Sequence, residues 1–343
     1  MTERWPASLA ACALLVLAAC EPKAPVAVPV AVAPPPSPWA RADNVALSAP
    51  QEAAGSIATL AAYLAPAEAS DEEKARAIFR WITSHVAYDV EGYRSGLYES
   101  SDATATLKRM TAVCEGYSSL FEALAAKAGL ECATIHGYAK GAGYRVGESF
   151  SGPSNHAWNA VRYGGTWRLV DCTWGAGALD ESGRYVHAFE PFYFDTPPER
   201  FIYTHWPSEE RWQLMDRPVT KDSFEKLPWL KPAFFVRGLD FMGGVPSFNT
   251  GGQTARLGIT IPAGVEVQAY LLRGEEKLQP KPLPMAKNGG GYLIEAVLPS
   301  PGSYLFRIYA GRGEGNITLE WAADIEQRWD GKAGSTGVPA AGH

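Results

Sequence analysis

Two adjacent glycines, Gly164 and Gly165, separate two strand-like runs, His156–Tyr163 and Thr166–Thr173. A two-residue turn that matches the twist of its strands needs positive φ, which glycine adopts without steric cost. Such a hairpin dictates register: Tyr163 faces Thr166, Asp171 faces Trp158 and His156 faces Thr173. Side chains alternate along a strand, so His156, Trp158, Asp171 and Thr173 share one face. His156 and Asp171 become diagonal neighbours, within reach of an imidazole–carboxylate hydrogen bond. A loop of four residues keeps that shared face, and an odd-length loop destroys it.

A base held by a carboxylate calls for a nucleophile. The chain has five cysteines, too few for a disulfide scaffold, and no CxxC pair that would mark a zinc site. Cys114 lies just before a predicted helix, Glu115–Ala128, with Tyr117, Leu120, Phe121 and Leu124 on one face and Gly129 as the C′ residue. The partial positive charge of a helix N-terminus favours a thiolate, which makes Cys114 a candidate nucleophile; a buried structural cysteine is the alternative. A zinc set of Cys114, His156 and Cys172 has no ligand spacing behind it, so no metal is expected. His85, His136, His187, His205 and His343 show no comparable partner pattern and read as surface or structural residues. Cys132 and Cys172 are open to either a disulfide or two free thiols.

The N-terminus reads as an address. Positive charge at Met1–Arg4 precedes an apolar run, Ala7–Ala19, too short to span a bilayer and of the size of a signal h-region. Leu17-Ala18-Ala19-Cys20 resembles the lipobox of bacterial lipoproteins. That resemblance implies a signal peptide over 1–19, lipidation at Cys20, and a membrane partnership through the anchor in the bacterial cell envelope. Glu21 after the cysteine leans the location to the outer membrane, facing the periplasm. Prolines at 22, 25, 29, 34, 35, 36 and 38 predict an extended linker over 20–44.

Beyond it, residues 45–231 mix helix and strand patterns. Ser70-Asp71-Glu72-Glu73 is a capping box, and Ala75, Ile78, Phe79, Ile82 and Val86 predict an amphipathic helix ending near Tyr88. A further strand is expected over Ala133–Tyr138, and Gly141–Pro153 is a loop leading into the histidine strand. Residues 232–325 carry short strands between Gly/Pro turns: Arg256–Ile261, Val265–Arg273, Tyr292–Leu298, Tyr304–Ala310 and Ile317–Ala322. Their spacing predicts an all-β sandwich of immunoglobulin-like type, with a loose tail over 326–343. The formal charge of −6, with 31 basic against 37 acidic residues, excludes a dedicated nucleic-acid binder.

Arg80-Trp81-Ile82, Tyr88-Asp89, Cys114-Glu115-Gly116-Tyr117, Gly137-Tyr138-Ala139-Lys140-Gly141, Asn155-His156-Ala157-Trp158-Asn159 and Val170-Asp171-Cys172-Thr173-Trp174-Gly175 together resemble the transglutaminase-like superfamily, in its kyphoscoliosis peptidase branch. Phe194, Pro198-Glu199-Arg200-Phe201-Ile202, His205-Trp206-Pro207 and Trp212-Gln213-Leu214 extend the similarity over roughly 70–230. The resemblance implies an α+β, papain-like core and a Cys-His-Asp triad: Cys114 as nucleophile, His156 as base and then acid, Asp171 as orienter. It implies acyl transfer from protein or peptide amides through a thioester, by a hydrolase or an acyltransferase, with no cofactor. The backbone N–H of Cys114 and Trp81 are candidate oxyanion donors, and Trp158 and Trp174 candidate walls; core packing is the alternative for all three tryptophans. A competing function is non-catalytic binding or scaffolding, with the β-sandwich recognising a partner.

Overall fold

Side-chain caps and glycine turns start and stop most elements near the site. The computed structural model describes residues 37–96, 100–180, 182–246, 252–313 and 317–332. The expected signal peptide, Cys20 and most of the proline-rich segment lie outside these residues. The predicted linker ends before residue 44, because Ala40–Leu47 is helix α1. Ala42 and Ala46 are buried there, and Asp43 receives a bidentate ion pair from the buried Arg76 (2.6 and 2.9 Å).

Helix α2 (Ile57–Leu64) precedes α3 (Asp71–His85), whose capping box is present: Glu73 N–H donates to Ser70 Oγ and Ser70 N–H to Glu73 Oε2. α3 ends three residues short of Tyr88, which instead joins strand β1 (Ala87–Tyr88). Short helices α4 (Val90–Ser95) and α5 (Ala103–Arg109) lead to β2 (Thr111–Ala112), parallel to β1, and then directly into α6 (Cys114–Lys127). Tyr117, Leu120, Phe121 and Leu124 of α6 are fully buried, so the predicted apolar face is the one that packs. Gly129, at φ +81°, closes the helix, with Leu130 N–H returning to Ala125 O at 2.9 Å.

The central antiparallel sheet contains β3 (Cys132–Ala139), β4 (His156–Tyr163), β5 (Thr166–Val170), and, after α7 (Cys172–Ala176) and the small hairpin β6 (Gly177–Leu179) and β7 (Tyr185–His187), β8 (Phe194–Thr196). The turn α8 (Pro198–Phe201) then delivers β9 (His205–Pro207), giving the order β8-β5-β4-β3-β9. Gly164 and Gly165 both take positive φ (58° and 80°), and the register runs from Tyr163↔Thr166 to Asn159↔Val170 as the hairpin requires. The strand expected to continue to Thr173 stops at Val170. Asp171 leaves the ladder, donates its N–H to Tyr193 O and caps α7.

Helix α9 (Lys221–Lys226) carries the chain to β10 (Trp229–Leu230). The Gly141–Pro153 loop is pinned over α9: Phe150 stacks on Tyr144 and Phe224, and Tyr144 meets Trp229 edge-on. Lys140 is fully buried, donating to Phe224 O and Leu227 O at 2.8 Å.

A second hydrophobic core lies between two antiparallel sheets. After α10 (Pro232–Val236) the chain forms β11 (Asp240–Phe241), β12 (Thr254–Thr260), β13 (Val265–Arg273), β14 (Glu276–Lys277), β15 (Met285–Asn288), β16 (Gly291–Val297), β17 (Gly302–Arg312) and β18 (Glu320–Trp329). The sheet orders are β10-β18-β17-β13-β14 and β11-β12-β16-β15, a β-sandwich. The strand expected at Ile317–Ala322 is displaced and longer, and it extends past residue 326, where the tail was expected to begin; Ile325 is fully buried. Leu230, just inside the expected boundary at 231, pairs with Ala323 and packs in this second core. No helix among the described residues is long and apolar enough to cross a membrane.

Candidate active site

Cys114 is the first residue of α6 rather than the residue before it, and Val113 as N-cap offers no side-chain acceptor that would quench the helix terminus. β1 and β2 lead into this terminus beside Tyr88, whose pKa is raised by burial and further by a charge on Cys114. His156 opens β4 and is 8% exposed; Asp171, at the break after β5, is fully buried. His156 Nε2 lies 2.8 Å from Asp171 Oδ2. The ring is also close enough to Cys114 to stabilise its thiolate, and with Nε2 committed to Asp171, Nδ1 is the nitrogen left for the sulfur. His156 and Asp171 thus come together as expected, but not through the strand pairing that parity assumed: Asp171 has left the ladder and completes the contact as a helix cap.

The structure adds a residue that the sequence reading set aside. His205 is 1% exposed, not at the surface, and its Nε2 is 3.1 Å from the same Asp171 Oδ2. Its Nδ1 lies 2.9 Å from Thr204 Oγ1, and its ring stacks on Phe201 at 3.9 Å. Asp171 Oδ1 accepts the backbone N–H of Trp174 at 3.1 Å. β9 spans only three residues, too few for a periodicity signal. A hint was present in Gly137: an added Cβ would lie 2.3 Å from Trp206 O and 2.6 Å from Trp158 Cη2, so β3 and β9 approach closely only at glycine.

Electrostatics follow from burial and partners. Burial opposes the Asp171 charge, yet the attraction and hydrogen bond of His156, with the hydrogen bond from His205, hold its carboxyl well below the usual range. Burial likewise opposes a charged His156, but Asp171 and then Cys114 outweigh it and raise its pKa to about 10. For His205 burial wins over Asp171, and the pKa falls to about 4, leaving a neutral ring. Burial pushes the Cys114 thiol up, and the hydrogen bond and charge of His156, helped by the Ala157 N–H, bring it below its ordinary value. Cys132 and Cys172 are free thiols that burial pushes up, so Cys114 alone of the three described cysteines is shifted toward thiolate.

Trp174 and Trp158 flank both imidazoles, with ring centroids 5.3 and 5.9 Å from His156 and 4.4 and 5.1 Å from His205. Trp81 is buried on α3 with its indole stacked on His85 at 4.6 Å, a packing position. His156, Asp171 and His205 are also, among the described residues, a group whose donor atoms lie within 4.8 Å of one another and so could hold a metal ion. An ionised carboxylate accepts only, so both Nε2 atoms already serve as N–H donors to it. Metal binding would require both rings to give up those protons or turn over.

Residues 58–172 match the transglutaminase-like superfamily, a span that contains Cys114, His156 and Asp171 but not His205. Over 171 residues the chain is 41% identical to kyphoscoliosis peptidase of Mus musculus, covering 50% of this chain and 26% of that protein. It is 36% identical over 219 residues to hillarin of Drosophila melanogaster, covering 58% and 26%. It is 34% identical over 215 residues to Lim and transglutaminase domain protein ltd-1 of Caenorhabditis elegans, covering 58% and 29%. The chain thus spans little more than a quarter of the length of these relatives. It carries a domain of the transglutaminase-like superfamily, on the kyphoscoliosis peptidase branch.

Proposed function

We propose that this chain is a cysteine-dependent acyl-transfer enzyme acting on amide bonds of proteins or peptides, with Cys114, His156 and Asp171 as its triad. The observation that carries the reading is a half-buried thiol at a helix start, shifted toward thiolate by an imidazole that a fully buried carboxylate holds at 2.8 Å. The Cys114 thiolate attacks the amide carbonyl carbon, and a C–S bond forms while the backbone N–H of Cys114 donates to the developing oxyanion. The C–N bond then breaks, and His156 Nδ1–H gives its proton to the departing amine. Water or a second amine attacks the resulting thioester, yields a proton to His156, and the C–S bond breaks to restore thiolate and imidazolium. Water makes the enzyme a peptidase or amidase; an amine makes it a transglutaminase. Trp158 and Trp174 wall the imidazole side.

The Leu17-Ala18-Ala19-Cys20 run supports lipid attachment at Cys20 and an outer-membrane, periplasm-facing location in a bacterial envelope. An immunoglobulin-like reading of the sandwich is supported by its strand order and by Tyr304, at the entry to β17, whose hydroxyl donates to Ser300 O at 2.7 Å.

The test is alkylation by iodoacetamide at pH 6 with peptide mass mapping. Cys114 is expected to label faster than Cys132 and Cys172, and to lose that advantage in His156→Ala. A Cys114 no more reactive than the other two refutes the proposal. Membrane partition of the full chain against Cys20→Ser tests the anchor; an unchanged membrane fraction removes it.

A further inference from the structure

We infer that His205 is a positioning residue of this site, a second imidazole that holds the Asp171 carboxylate in place for His156. The inference rests on the triad reading above and extends it by one residue, outside the segment that matches the superfamily.

Asp171 has no water-exposed face, so every lone pair it uses must meet a protein donor. Trp174 N–H occupies Oδ1, and Oδ2 receives two imidazole N–H groups, from His156 on β4 and His205 on β9. An ionised carboxylate can only accept, so His205 carries its proton on Nε2. Its Nδ1 is then an acceptor, and the Thr204 hydroxyl at 2.9 Å is placed to donate to it. The result is a directed chain, Thr204 O–H to His205, His205 N–H to Asp171, His156 N–H to Asp171, with each group in one protonation state. Phe201 stacks on the His205 ring at 3.9 Å and Trp174 packs against it at 4.4 Å, contacts that restrict its movement away from the carboxylate. The titratable groups facing this contact are His156, Cys114 on α6, Cys172 on α7, Tyr193 in the turn before β8, and Tyr88 on β1. None of the others donates to Oδ2 among the described residues.

A donor aimed at a buried anion is worth about a factor of ten or more in an equilibrium. Its removal favours the form of the Asp171–His156–Cys114 unit that holds one more proton. In His205→Phe the pH midpoint of Cys114 alkylation is expected to move up by about one unit, with the rate on the limb below the midpoint falling about tenfold. His205→Gln keeps an N–H in reach of Oδ2 and is expected to restore most of the rate. Thr204→Val, a near-isosteric change that releases the Nδ1 end and a longer contact of the hydroxyl with Phe201 O (3.3 Å), is expected to give a smaller upward shift.

The experiment measures iodoacetamide labelling of Cys114 against pH in the full chain and these three variants, with circular dichroism and thermal melting alongside. A merely structural histidine would lower the melting temperature without moving the midpoint of the folded protein. A folded His205→Phe with an unmoved midpoint overturns the inference while leaving the triad standing. If His205→Phe does not fold, Thr204→Val decides: a raised midpoint supports the chain, and an unchanged one overturns it. A wild-type Cys114 of ordinary reactivity refutes the triad reading itself, and the role of His205 with it.

Discussion

Asp171→Asn should disarm the thiol by forcing the wrong proton arrangement while preserving the shape of the site. The carboxylate accepts three N–H groups, one on Oδ1 and two on Oδ2. Asparagine offers one acceptor oxygen and one donor NH2 group, so it cannot satisfy all three. If its oxygen faces Trp174 N–H, the amide NH2 faces both imidazoles, and His156 must turn into an acceptor at Nε2. Its proton then sits on Nδ1 in the neutral ring, and no lone pair remains to take the thiol proton. If the amide flips, NH2 confronts the Trp174 N–H, and a buried donor goes unpaired at a cost of about 1–3 kcal/mol. Either way the negative charge that favours a cationic His156 is gone, and the thiolate's positive partner is weakened. An ordinary thiol is only ~0.3% thiolate at pH 6, so the reactive form falls by up to ~300-fold. The greater nucleophilicity of a more basic thiolate takes back about a factor of ten. The net expectation is a drop of up to roughly 30-fold in Cys114 alkylation at pH 6, with labelling of Cys132 and Cys172 unchanged. Stopped-flow alkylation with mass mapping measures it, and circular dichroism confirms that the variant is folded. A folded Asp171→Asn that labels within about twofold of the wild-type rate would refute the reasoning, since the carboxylate would then not govern the proton position.

Gly137→Ala should wedge β3 from β9, because two of the three nearest atoms to the new methyl are backbone atoms, Trp206 O at 2.3 Å and Pro207 Cα at 2.8 Å. A loss of about 1–3 kcal/mol in urea denaturation is expected, together with slower Cys114 alkylation because β9 carries His205; a change under about 0.5 kcal/mol would contradict the close approach. The pH dependence of stability has a definite sign at His156. Folding raises its pKa to about 10, so its contribution is complete below the unfolded value of about 6.5 and is lost as pH rises toward 10. The stability advantage of the wild type over His156→Gln should therefore shrink by more than about 1 kcal/mol between pH 6.5 and 10 in denaturant titrations. The depressed Asp171 acts at the other end, its contribution being lost only below about pH 4. An equal gap between the two proteins at pH 6.5 and 10 would mean that His156 is not cationic in the folded state.

Several parts of this molecule are legible along the chain because they depend on neighbours. Ser70 and Glu73 cap α3 within one turn, Gly129 ends α6 at its own φ, and Gly164-Gly165 dictates the register of β4 on β5. The superfamily signature spans these same local units, so the α+β core and the Cys114, His156 and Asp171 positions could be read together. Helix and strand ends were less legible where tertiary contacts overrode the pattern. Asp171 was expected in a strand, but its N–H bonds Tyr193 O and its carboxylate caps α7, which bends the chain out of the ladder. α1 begins inside the proline-rich segment because the buried Arg76 requires Asp43, a partner 33 positions away.

By itself, then, the sequence determined the register of β4 on β5, because the parity of two strands joined by a two-residue turn is a matter of counting. It also placed Cys114 at a helix start, where the backbone dipole is available whatever else the chain does. Only the tertiary structure decided that a second histidine closes on the same carboxylate. His205 is 34 residues from Asp171, on a three-residue strand with no pattern of its own, and it arrives there through the pairing of Ala139 with His205 beside a glycine that lets the strands approach. Local rules act over a turn or a strand pair. The protonation state of a buried carboxylate depends on every donor that packing brings to it, from any distance along the chain.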